Sequence, residues 1–197
     1  MKAPGHATHR ALNHGVWPRM LRGMGSAAQP YRIGHGFDLH RLEPLAPIGA
    51  GKPLILGGVA VPHDLGPVGH SDGDALLHAI TDAILGALGQ PDIGELFPDT
   101  SPKWAGADSA IFLHEAVNRM NSAGYELGNL DATIILQKPR IAHHKDAIRL
   151  NLSRLAGVPA ERVNLKGKTH EELDALGEGR GVAVHAVVLL IRKGNAT

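Results

Sequence analysis

From Tyr31 onward the apolar residues fall into recognisable periods. Tyr31–Phe37 reads as a short strand entering a loop, and Leu54-Ile55-Leu56 and Val59-Ala60-Val61, separated by Gly57-Gly58, predict a hairpin. Leu77, Ile80, Ile84 and Leu88 recur at helical spacing. They predict a helix from Asp74 to Leu88, with Ser71 or Asp72 as N-cap and Gly89 just past its end. Gln90–Trp104, with three prolines, predicts a loop. Asp108 can cap a second helix that places Leu113, Ala116, Val117 and Met120 on one face and ends at Gly124. A strand over Asp131–Gln137 follows, then a helix over His143–Ala156 stopped by Gly157 and Pro159. Strands over Arg162–Leu165 and Val182–Ile191 come last, the latter apolar on both faces and so central. Strands alternating with helices, without a repeat, predict one α+β (mixed α/β) domain over residues 31–197.

Residues 1–30 lack this periodicity. They hold Lys2, Arg10, Arg19 and Arg22, three His and no acid, and predict a flexible basic extension. A transit peptide is the second reading, against which the stretch is short and poor in Ser. The whole chain of 197 residues has a formal net charge of +1, so everything after residue 30 is net acidic and offers no generic basic footprint for nucleic acid. The longest apolar run, Val182–Ile191, is about half a bilayer span and contains His185, so no segment is predicted to cross a membrane. Zero Cys excludes disulfides, thiolate metal sites and a thiol nucleophile. Thirteen His remain, and imidazole with carboxylate becomes the natural set of transition-metal ligands.

Asp38 and His40, two apart in an extended segment, point to one face. Asp74, His78 and Asp82 form a polar stripe on an otherwise apolar helix. Two readings stand level on spacing alone. In one, Asp38, His40 and His78 ligate a zinc with a fourth position open, and Asp74 or Asp82 orients an imidazole behind them. In the other, Asp38-x-His40 is a strand-end turn and His78 a solvated helix residue. The Gln90–Trp104 loop could hold a polyol or be a structural turn. Lys166-Gly-Lys-Thr-His-Glu171 could cradle a phosphate and hold a hard cation through Glu171; taken alone, a solvated charged loop is the better reading. Gly49-Ala-Gly-Lys52 is no P-loop, because Ala46 stands where the first Gly belongs and Pro53 replaces the Ser or Thr.

Taken in order, several segments resemble one family, the 2-C-methyl-D-erythritol 2,4-cyclodiphosphate synthases of non-mevalonate isoprenoid biosynthesis. They are Arg32-Ile-Gly-His-Gly-Phe-Asp-Leu-His40, His70-Ser-Asp-Gly-Asp-Ala-Leu-Leu-His78, Asp92-Ile-Gly-Glu-Leu-Phe-Pro-Asp-Thr100, Gly106-Ala-Asp-Ser109 and Gln137-Lys-Pro-Arg140. The resemblance implies a β-sheet packed against outer helices. It implies a homotrimer with sheets facing one another and active sites at subunit interfaces. The implied reaction is intramolecular phosphoryl transfer: the 2-phosphate of 4-CDP-2-C-methyl-D-erythritol 2-phosphate attacks the β-phosphorus and releases CMP, which makes the enzyme a phosphorus–oxygen lyase. Zinc would sit on Asp38, His40 and His78, and a second cation, magnesium or manganese, on Glu171 through the diphosphate. His70 and Thr169 would act at the transferring phosphate, with Ser71 beside them. Asp92, Ile93, Gly94, Phe97, Pro98, Asp99, Thr100 and Ser101 would hold the methylerythritol part. Leu136, Gln137, Lys138, Pro139, Arg140, Ile141 and Ala142, with Lys168 and His170, would surround the cytidine and its phosphates.

The chain departs from the family where an aromatic and Gly-Arg-Gly-Glu-Gly are usual. Ala175 takes the aromatic place, and Glu178 and Arg180 are exchanged. These positions belong to the trimer axis, where the family can hold an isoprenoid diphosphate, and not to the catalytic set; the exchange is expected to rearrange an ion pair there. No room is left for a fused cytidylyltransferase domain, so a single activity is expected. The expected address is bacterial cytoplasm, or a plastid-type compartment if residues 1–30 are a transit peptide. The competing readings are a zinc hydrolase on the same scaffold and a non-catalytic metal-binding protein.

Overall fold

The inner face of the first strand explains most of the architecture. In the computed structural model, which describes residues 29–194, β1 (Tyr31–Pro44) turns Gly34 and Gly36 towards a helix laid directly on them. A Cβ on Gly34 would lie 1.8 Å from the carbonyl oxygen of Ala83, and one on Gly36 1.9 Å from that of Ala79. Only glycine permits this approach. The helix is α1 (Ala75–Leu88), buried at nearly every position.

Strands β2 (Ile55–Leu56) and β3 (Val59–Ala60) form the expected hairpin, turning at Gly57 and Gly58 with φ of 61° and 73° as a type I′ turn requires. Then come β4 (Leu65–Pro67), α1, α2 (Ile93–Leu96), α3 (Ala110–Ser122), β5 (Tyr125–Ile135), α4 (Lys145–Ala156), β6 (Val163–Lys168), α5 (Asp174–Gly177) and β7 (Gly181–Arg192). The main sheet has the order β4-β1-β7-β5-β6, antiparallel except for the β5–β6 pair. Helix α1 covers β1 and β7, and α3 packs on α1. The fold is thus a single α+β domain with a sheet backed by helices, as expected, and β7 is central.

The differences are instructive. The first strand runs to Pro44 rather than Phe37, because its inward positions are Gly34, Gly36, Asp38 and His40 and its outward ones Ile33, Phe37 and Leu39, the reverse of the usual alternation. Strand β5 starts at Tyr125, since Gly128-Asn129 is a bulge and not a turn. The Gln90–Trp104 loop contains α2 and a 3₁₀ turn at Pro102–Trp104. Short β4 carried no periodicity to predict it. The N-cap of α1 is Asp74, not Ser71 or Asp72: its Oδ1 accepts from the amides of Leu76 (3.1 Å) and Leu77 (3.0 Å), which only the residue adjoining the first turn can reach. The extension expected over residues 1–30 falls outside the described residues except at Gln29 and Pro30. Those two are tied to the sheet by Tyr125 Oη donating to Gln29 and the Arg192 amide to Pro30.

Candidate metal centre

Helix α1, seated on the glycines of β1, brings His78 beside Asp38 and His40. Asp38 Oδ2 lies 3.1 Å from both His40 Nε2 and His78 Nδ1, and the two nitrogens are 3.2 Å apart. Such a triangle matches one face of a tetrahedron around a metal with bonds of about 2.0–2.1 Å.

The hydrogen bonds behind His78 decide its tautomer. Ser109 donates its hydroxyl proton to Asp72 Oδ1, so its lone pair accepts from His78 Nε2–H at 2.8 Å. Ser71 Oγ lies 3.2 Å from the same nitrogen. The Nδ1 lone pair therefore faces the Asp38 carboxylate, an arrangement that requires a cation between them: a proton in the bare protein, a metal in the loaded one. Burial penalises the charged Asp38, yet hydrogen bonds from His40 and His78 and their charge outweigh it and hold its pKa well below the usual range. Burial likewise opposes protonation of His78, and Asp38 with Asp74 and Asp72 overrides it and raises the pKa.

Neither Asp74 nor Asp82 orients an imidazole, contrary to expectation. Asp74 is fully buried, with its carboxylate on the amides of Gly57, Gly58, Leu76 and Leu77, and burial pushes its pKa up to about 6. Asp82 accepts from the amide of Ile93 at 2.8 Å and so docks α2. The orienting residues are Ser109 and Asp72. Both were in the motifs Gly106–Ser109 and His70–His78, but nothing in their spacing revealed that they meet.

The triad opens on a cleft of about 370 Å³ lined by His70, Ser71, Ile93, Gly94, Phe97 and Asp99 among others. One wall is aromatic: Phe97 lies 4.6 Å from Phe112 and 5.1 Å from Trp104 between centroids, and the periodicity had not singled out Phe112 or Trp104 for the site. His70 Nε2 donates to the carbonyl of Ser101 at 3.0 Å. Asp92 caps α2 through the amide of Glu95 (2.9 Å) and is not a lining residue; Pro98 and Thr100 are exposed beyond the rim.

A second cleft of about 440 Å³ gathers Leu136, Arg140, Ile141, Ala142, Lys168, Thr169 and Glu171. Thr169 donates to Glu171 Oε1 at 2.6 Å, and Glu171, Glu172 and Asp174 all have positive φ (50°, 62° and 54°). Gln137 accepts from the His170 amide at 3.2 Å, while Lys138 and Pro139 lie outside this lining. Strands β7 and β5 separate β1 from β6, so within one chain His70 and Thr169 belong to different clefts. Ala175 is exposed on α5, and Arg180 Nε pairs with Glu178 Oε2 at 2.6 Å.

Residues 31–191 match the model of the YgbB family. The chain is 62% identical over 164 residues to the chloroplastic 2-C-methyl-D-erythritol 2,4-cyclodiphosphate synthase of Arabidopsis thaliana, a match spanning 83% of this chain and 68% of that protein. It is 52% identical over 162 residues to the synthase of the same name from Cupriavidus metallidurans, spanning 82% and 93%. Among solved structures, IspF of Plasmodium falciparum in its CDP complex is similar with a TM-score of 0.72 and 39% identity, over 83% of this chain and 97% of that one.

Proposed function

The chain belongs to the YgbB family, that of the 2-C-methyl-D-erythritol 2,4-cyclodiphosphate synthases, and we propose that it closes the cyclic diphosphate at a site completed by a neighbouring subunit. The substrate is 4-CDP-2-C-methyl-D-erythritol 2-phosphate. Its 2-phosphate oxygen bonds to the β-phosphorus, the bond from that phosphorus to the bridging oxygen breaks, and CMP departs with the electron pair. By reaction class the protein is a phosphorus–oxygen lyase of isoprenoid precursor synthesis.

The observation that carries this reading is the division of labour between two clefts. One holds the metal triad and His70, and the other holds Thr169, Glu171 and the 136–142 segment. A homotrimer that sets the first cleft of one subunit against the second cleft of the next assembles a whole site from two halves. The sheet face opposite the helices supports such an assembly: Ile33 (74% exposed), Phe37, Leu39 and Val187 stand on it.

Asp38, His40 and His78 would hold zinc, which when bound supplies Lewis-acid stabilisation of charge on a phosphoryl oxygen. Glu171 would hold magnesium or manganese. Ser109 and Ser71 keep the His78 ring oriented. His70, held on Ser101, positions the transferring phosphate, and Phe97, Trp104 and Phe112 keep water from competing with the internal nucleophile. No general base is needed, since the attacking phosphate oxygen is already anionic near neutral pH. The chloroplastic address of the Arabidopsis relative and the acid-free, basic composition of residues 1–30 favour a plastid-type compartment.

Phosphorus NMR of the zinc- and magnesium-supplemented protein with this substrate tests the reading. A coupled cyclic diphosphate pair together with CMP is expected; a ring-opened product would identify a hydrolase instead. Sedimentation should give three times the chain mass.

A further inference from the structure

Lys52 closes the Gly49-Ala-Gly-Lys52 segment, which has no P-loop role, and its side chain turns to the back of the His70 loop. Its amide donates to the carbonyl of Pro67 at 3.0 Å, and its own carbonyl leaves no room for a Cβ on Gly66, so its main chain is locked onto β4. From there Nζ reaches three successive carbonyls, Gly69 (2.8 Å), His70 (3.2 Å) and Ser71. An ammonium has three donors, and here each has a carbonyl.

Peptide planarity carries the consequence across the loop. In a trans peptide the carbonyl of one residue is antiparallel to the N–H of the next. With the carbonyls of Gly69 and His70 turned to Lys52, the latter shared with the Gly106 amide at 2.8 Å, the amides of His70 and Ser71 are turned away from it. Gly69, His70 and Ser71 line the first cleft, and Lys52 does not. Among the described residues neither of these amides has a hydrogen-bond partner, whereas the next one, Asp72, donates to Ala107 at 3.0 Å. Two adjacent unpartnered N–H groups on a loop beside a metal triad are the kind of donors from which anion sites are built.

We propose that Lys52 is a positioning residue for the phosphoryl transfer: its ammonium, seated behind the loop, fixes the peptide planes that present the His70 and Ser71 amides to the phosphate. This rests on the proposed reaction. Lys52 itself touches neither metal nor substrate.

The test compares Lys52→Met and Lys52→Arg with the parent, measuring kcat and KM by phosphorus NMR, zinc per chain, melting temperature, and CDP affinity by calorimetry on the zinc-loaded protein. Lys52→Met should lower kcat about 10- to 100-fold, the cost of loosening preorganised donors. It should also weaken CDP binding about tenfold while keeping one zinc per chain. Lys52→Arg, whose guanidinium can still serve the carbonyls, should recover to within about fivefold of the parent. Parent-like kcat in Lys52→Met would overturn the proposal. So would loss of zinc and a collapsed melting temperature that Lys52→Arg does not rescue, because the role would then be structural. If the parent binds CDP but does not turn over, the proposed reaction falls and CDP affinity alone decides: weakened by Met and not by Arg supports Lys52, and equal binding overturns it. If the parent neither binds nor turns over, both are overturned.

Discussion

The two clefts of this chain are built differently. Around Asp38, His40 and His78 the side chains are half-buried or buried, the three ligand atoms lie within 3.2 Å of one another, and the supporting helix lies on glycines that leave it no second position. Thr169 is half-buried and Glu171 exposed, the backbone enters the left-handed region three times within four residues, and among the described residues the two side chains hydrogen-bond only to each other. The first half-site is complete in one chain because a metal demands fixed donors. The second is open, and in the proposed trimer its missing wall would come from a neighbouring subunit. Strain at Glu171, Glu172 and Asp174 is tolerable where ligand contacts reward it.

Complementation between two damaged chains separates the two clefts most strongly. His78→Ala should abolish turnover, by more than about a thousandfold, together with zinc; Glu171→Gln should lose about a hundredfold yet keep its zinc. Unfolded together and reassembled in equal amounts, the two inactive proteins should regain about a quarter of parental activity, since one interface in four unites two intact halves. No recovery would mean that each chain holds its own whole site.

Gly36→Ala should cost about 3 kcal/mol or more, read from urea denaturation, because the new methyl meets the backbone of α1 and not a side chain that can swing aside. A Gly179→Ala control, with nothing near its Cβ but a φ of 76°, should cost only about 1 kcal/mol. Ser109→Ala should weaken zinc about 10- to 100-fold in chelator competition, leaving the His78 ring without its anchor. Its effect on the second cleft should be nil.

The smallest effect is a pH dependence. Burial raises Asp74 to about 6 against four amide hydrogen bonds. Its folded form binds the proton more tightly than its unfolded form, so its contribution to stability is present below about pH 4 and is lost as pH rises through about 6. The melting-temperature advantage of the parent over Asp74→Asn should therefore shrink by a few degrees between about pH 4.5 and 7.5. An advantage that grows would show the ionised carboxylate to be the better cap.

Much of this was legible beforehand. Helix α1, the Gly57-Gly58 hairpin and the central strand β7 follow from local periodicity and turn chemistry, which act over a few residues. The triad Asp38, His40 and His78 was half legible: two residues share a strand face by parity, but spacing could not place the third beside them. Strand β1 was cut short because Asp38 and His40 interrupt the hydrophobic signal, and function had taken the inward positions that packing normally fills. Ser109 was invisible as the partner of His78, and Asp72 as the partner of Ser109, since hydrogen bonds across 31 and 37 residues leave no period.

Composition and near neighbours were enough for most of the helices and strands, for the absence of thiol chemistry and for the residues able to ligate a metal. Packing between distant segments was needed to show that Gly34 and Gly36 seat helix α1, that Asp74 is a cap and Ser109 the histidine's anchor, and that His70 and Thr169 occupy different clefts. Those facts are set by distances between residues far apart in the chain, and they exist only once α1 has come to rest on β1.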